Sequence, residues 1–103
     1  MESEKINVEV DIELQDLVPG YIDNRKKEVA VMKEAVESAD FDLVRTLGHR
    51  MKGNAGGYGL DQLGTYGAQL ETAAKASDSE GMTKAIELIE DYLRRVEVHY
   101  IQI

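Results

Sequence analysis

Apolar side chains recur at three- and four-residue intervals through four successive stretches of this chain, and its 103 residues include one proline. About 3.6 residues complete a helical turn, so such spacing puts each set on one side of an α-helix; a strand would repeat every two residues. The first set is Ile22, Val29, Met32 and Val36, with Arg25, Lys26, Lys27 and Lys33 among the outward positions. Pro19 suits the first turn of that helix, where a missing N–H costs nothing, and the helix is expected to end near Ala39. Asp40 then caps a second helix from about Phe41, whose stripe is Val44, Leu47, Met51, Ala55 and Tyr58. A third follows Gly59 with Leu60, Leu63, Leu70 and Ala74 inward. Ser77 and Glu80 read as a capping box for a fourth, which carries Ala85, Ile86, Ile89, Tyr92, Leu93, Val96 and Tyr100.

Four amphipathic helices with short connections predict an all-α fold, an antiparallel up-and-down four-helix bundle. Asp11 can cap a short extra N-terminal helix bearing Ile12, Leu14, Leu17 and Val18. Before it, Ile6, Val8 and Val10 alternate with Asn7 and Glu9, the pattern of an extended segment. The expected organisation is an arm over residues 1–10 and a bundle over 11–103, the arm and the tail Val98 to Ile103 packing on each other or on a second chain.

Charge and composition narrow the function. Twenty acidic against 12 basic residues give a net charge of −8, the wrong sign for coating nucleic acid or an anionic membrane, and it favours a monomer. The absence of Cys removes disulfides, thiolate metal sites and cysteine nucleophiles, and fits a reducing compartment. Met1-Glu2-Ser3-Glu4-Lys5 has neither the basic nor the apolar region of a signal peptide, so the expected location is the cytoplasm.

The informative segment runs from Leu43 to Leu60. It holds Arg45, Arg50 and Lys52 and no acid, where about three or four acids are expected by proportion. Seven of the nine glycines fall between positions 48 and 67. Each Gly inside a helix costs about 1 kcal/mol relative to Ala, yet the apolar stripe continues through Gly48, Gly53, Gly56 and Gly57. Something must need bare backbone there. With the stripe fixed as inward, His49 points roughly 150° away from the core, and Arg45, Lys52, Gly53 and Gly56 share its outer face. An imidazole with open space beside it and an ammonium one turn on is suited to carry a phosphoryl group, which the cation can pair with. A surface His alone has many uses; the glycines, the charge gap and the shared face single this one out. His99 reads as a surface residue near the end of the last helix. A joint metal site with His49 has no defined ligand spacing. The phosphate-loop, dinucleotide and HExxH patterns are absent.

His49-Arg50-Met51-Lys52-Gly53-Asn54, Gly59 ten residues after the His, then Leu63 and Leu70-Glu71, resembles the histidine-containing phosphotransfer (HPt) domain over about residues 11–100. Its motif is H-x-x-K-G-[SN], followed by G, an apolar position and L-E on the next helix. The resemblance implies a helical bundle that relays a phosphoryl group between receiver-domain aspartates or from a histidine kinase, without kinase activity of its own. It implies His49 as phosphoacceptor, Lys52 as the cation for the phosphoryl group, Gly53 as the small residue that opens the site, and Glu71 as the residue that hydrogen-bonds the ring. Gly64 and Ala68 on the same helix as Glu71 leave a groove beside His49, so the expected docking face is Arg45, Gly53, Gly56, Gly64 and Ala68. No metal or cofactor is expected on this chain; Mg²⁺ is expected on the receiver. Arg50 stands where dimeric histidine kinases carry an acid, which favours a relay module. The alternatives are a non-relaying docking module that binds receivers or kinases, a purely structural helical protein, and a metal enzyme within a bundle core. The last needs Glu three residues before a ligating His, and neither His has one.

Overall fold

Aspartates set where two of the helices begin. In the computed structural model, which describes residues 4–103, the Asp40 carboxylate accepts from the Leu43 N–H at 3.3 Å and opens helix α2 (Phe41–Asn54). Asp78 accepts from the Gly81 N–H at 2.9 Å and opens helix α4 (Ser79–Arg95). The cap of α4 is therefore Asp78 and not the expected Ser77–Glu80 box. Ser77 has a φ of 53° and lies in the left-handed region, whereas a helix N-cap needs extended backbone. Pro19 sits in the first turn of α1 (Val18–Glu37), and α3 spans Asp61–Lys75. The start of the expected arm, Met1 to Ser3, lies outside the described residues.

Each helix packs against two others, α1 and α3 both touching α2 and α4. The shared core holds Val29 and Met32, then Val44, Leu47 and Met51, then Leu63, Leu70 and Ala74, then Ile86, Ile89, Tyr92 and Leu93, all buried. These are the inward stripes read from spacing. None of the described helices is long and apolar enough to cross a membrane.

Four boundaries differ from expectation. The second helix leaves α geometry at Asn54 and tightens into a 3-10 turn, Ala55–Tyr58, which contains Gly56 and Gly57. Glycines weaken an α-helix, and the tighter turn lets Gly59, at φ 81°, reverse the chain before α3. Tyr58 still reaches the core side, its ring stacked on Tyr21 with centroids 4.2 Å apart. The short N-terminal helix is a single 3-10 turn, Ile12–Leu14, because so few residues cannot offset the cost of helix nucleation. Leu17, assigned to that helix, lies exposed ahead of α1.

The last helix stops at Arg95, and Val96–Ile101 forms a strand, β2. It pairs in parallel with β1 (Ile6–Asp11), from Ile6 opposite Val96 to Asp11 opposite Ile101. The all-α reading thus lacked a two-stranded sheet. Val96 and Tyr100 continue the four-residue spacing from Tyr92, but Val98 between them also gives a strand's alternation, and β1 supplies the partner. His99 accordingly lies on β2, 2.9 Å from the Asn7 side-chain oxygen, and not at a helix end.

The tightest feature is the crossing of α2 and α3. A Cβ on Gly48 would stand 2.8 Å from the Glu71 backbone N and 2.9 Å from the Gly67 carbonyl O. A Cβ on Gly67 would stand 2.8 Å from the Lys52 backbone N. The neighbours are backbone atoms and the Met51 Cβ, which is fixed to the backbone, so no flexible side chain can move aside. Gly67→Ala is expected to destabilise the fold by roughly 1–3 kcal/mol, as overpacking does. Urea unfolding checks this, and an unchanged midpoint would contradict the contact.

Candidate functional site

The glycine crossing decides which side chain lies under His49. Glu71 follows Gly67 by one helical turn, and its backbone is pressed against Gly48, the residue before His49. Its carboxylate therefore emerges between the two helices. Glu71 Oε2 lies 2.8 Å from His49 Nδ1, and Lys52 Nζ donates to Oε1 at 3.1 Å. Lys75 Nζ stands 3.7 Å from Oε2. The His49 side chain is 67% exposed and that of Lys52 50%, whereas that of Glu71 is only 8% exposed.

An ionised carboxylate only accepts, so the contact at 2.8 Å puts the hydrogen on Nδ1. The neutral ring then keeps its lone pair on Nε2, in the exposed part of the side chain. The Glu71 carboxyl is held below the usual carboxylate range, first by the Lys52 hydrogen bond and next by that to His49. Burial opposes the shift, and the charges of Lys52 and Lys75 reinforce it. Glu71 thus stays ionised throughout the neutral range.

The remaining residues of the expected site divide into two groups. Arg45, Gly53 and Gly56 are exposed, and a Cβ on Gly53 would meet nothing within 4 Å. Gly64 instead faces α2, its Cβ position 3.6 Å from the Lys52 carbonyl. Ala68 is half-buried and lines a surface groove between α3 and α4 with Thr65, Thr72, Ala85 and Leu88. Lys52 was expected to await a phosphoryl group; here it rests on Glu71, the nearest anion. Gly48, one of the glycines over which the helix needs bare backbone, is buried in the helix crossing.

Sequence reasoning missed the contacts of three residues. Gly67 completes the crossing, and its spacing of four from Glu71 was the available signal. Lys75 lies four residues after Glu71 on the same helix, the spacing of a helical ion pair. Asn54 accepts from the Tyr21 hydroxyl and so ties the end of α2 to α1; no local pattern marks that pair. Among the described residues, no group of three or more His, Asp or Glu side chains is placed to hold a metal ion.

The family model described as Hpt domain matches residues 14–99. The chain belongs to the Hpt domain family, which makes it a phosphotransfer module of two-component phosphorelays. Such domains are carriers and not kinases. Neither the comparison with curated proteins nor that with solved structures gave a match.

Two outcomes follow from the carboxylate. Imidazole ¹⁵N spectra at neutral pH should show His49 with hydrogen on Nδ1, and Glu71→Ala should abolish that bias; an unbiased ring in the parent protein would contradict the hydrogen bond. Because the folded-state pKa of Glu71 is lowered, its contribution to stability is present above the ordinary value of 4.5 and lost as pH falls through the folded value. Glu71→Gln should therefore reduce the acid sensitivity of urea unfolding below pH about 5 and leave the slope above it unchanged.

Proposed function

We propose that His49 accepts a phosphoryl group on Nε2 from a receiver-domain aspartate or a histidine kinase and passes it to the receiver aspartate of a response regulator. The observation that carries this reading is the contact between His49 Nδ1 and buried Glu71 at 2.8 Å, on a side chain otherwise open to solvent. In the forward step the Nε2 lone pair attacks the phosphorus in line with the bond to the aspartyl oxygen. The N–P bond forms, the P–O bond breaks, and the aspartate carboxylate leaves with the electron pair. No proton needs to move. The ring keeps its Nδ1–H and becomes cationic, and the Glu71 carboxylate offsets that charge. Lys52, half-exposed and on a flexible stem, can turn from Glu71 to the phosphoryl oxygens.

The site supplies a positioned nucleophile, and the receiver brings Mg²⁺ and the rest of the catalytic charge. Arg45, Gly53 and Gly56 form the docking face beside His49, with Gly53 admitting the partner's backbone; Gly64, turned to α2, and Ala68, in the groove between α3 and α4, lie outside it. The short connections support an antiparallel up-and-down order of the four helices. A net charge of −8 supports a monomer, and the absence of Cys a cytoplasmic setting.

Incubation with a phosphorylated receiver should place acid-labile, base-stable label on the chain and none on His49→Gln. Equal labelling of the variant would reject the assignment. Gly53→Ala gives a second, opposed pair of readings. It should raise stability by about 0.5–1 kcal/mol, since a helical glycine in open space gains a methyl without a clash. It should also slow transfer by about tenfold, the equivalent of ~1.4 kcal/mol of lost docking. Faster or unchanged transfer would remove Gly53 from the docking face.

A further inference from the structure

We propose that Lys75 is a positioning residue that takes over the Glu71 carboxylate when Lys52 turns to a phosphoryl group on His49, so that the Nδ1–H anchor survives transfer. This rests on the reading of His49 as phosphoacceptor. It starts from an imbalance in the contacts around Glu71. The carboxylate has two oxygens and three partners, His49 and Lys52 from α2 and Lys75 from α3. Two of them are at hydrogen-bond distance, and Lys75 at 3.7 Å is not. Lys75 is thus a cation held close, acting through its charge but without a hydrogen bond.

Its place suits a reserve. Lys75 is the last residue of α3, four residues beyond Glu71, and its side chain is 59% exposed. A small rotation of the long stem brings Nζ to the carboxylate without moving the helix. Lys52 has no hydrogen-bond acceptor besides Glu71 among the described residues, so a phosphoryl group on the neighbouring ring competes for it directly. Without a substitute, the departure of Lys52 leaves a carboxylate that is 8% exposed with the imidazole as its sole partner. Such a group either draws Lys52 back or takes up a proton, and a protonated Glu71 no longer holds the cationic ring. Lys75 removes both difficulties by keeping one ammonium on Glu71 while the other serves the phosphoryl oxygens.

The hand-over can be read before any phosphoryl transfer. The Glu71 side-chain carbon is titrated by NMR in the parent protein, Lys52→Met, Lys75→Met and the double variant. Lys75→Met should leave the carboxyl pKa close to its lowered value, and Lys52→Met should raise it only in part. The double variant should raise it by more than the two single shifts together, because each lysine covers for the other. Additive shifts would overturn the proposal. In transfer assays Lys75→Met should lower the maximal rate about threefold or more with the KM for the receiver unchanged. Lys75→Arg should restore it. A wild-type rate, or an effect confined to KM, would also overturn the proposal, the latter by making Lys75 a docking cation. Labelling of His49→Gln equal to the parent would reject the phosphoacceptor assignment, while the titration cycle would still report on the lysine exchange.

Discussion

Where α2 crosses α3, no side chain separates the two backbones. Gly48 and Gly67 face each other at distances that no Cβ tolerates, and the site follows from that contact. It brings Glu71 beside the residue before His49 and lets one carboxylate reach both the imidazole and Lys52. Two glycines in helix interiors carry a cost in stability, and the proximity they allow is what positions the ring. Because both helices also bury an apolar stripe in the shared core, the geometry is fixed by packing and not by a loop.

The local electrostatics run opposite to those of the molecule. The chain carries a net charge of −8, yet the exposed face around His49 presents Arg45, Arg50 and Lys52. Glu71, the acid that touches His49 and Lys52, is buried and already paired. An incoming phosphoryl group therefore meets cations, and the acid it would repel acts on the far side of the ring. The same carboxylate fixes the neutral tautomer and then balances the cationic phosphorylated ring. One buried charge serves two steps because the ring nitrogen it touches keeps its hydrogen throughout.

The sequence made much of this legible where periodicity was long and unambiguous. The inward stripes of all four helices could be read from spacing, and so could the outward direction of His49 on an unbroken α2. Failures cluster where two patterns coexist. Val96 and Tyr100 satisfy helical spacing and strand alternation together, and the choice was made by β1, some ninety residues earlier in the chain. Ser77 and Asp78 are both good caps, and the left-handed backbone at Ser77 left the role to Asp78. Gly48 and Gly53 look alike in sequence, but one is pressed against α3 and the other meets open space. The reserve position of Lys75 depends on a distance that spacing alone does not specify.

Which imidazole nitrogen is free decides how the phosphoryl group is carried. Phosphorylating ¹⁵N-histidine-labelled protein with a receiver and observing phosphorus–nitrogen coupling tests this directly. Coupling to Nε2 of His49, with Nδ1 still bearing hydrogen, is the predicted result. Coupling to Nδ1, or to His99, would contradict it.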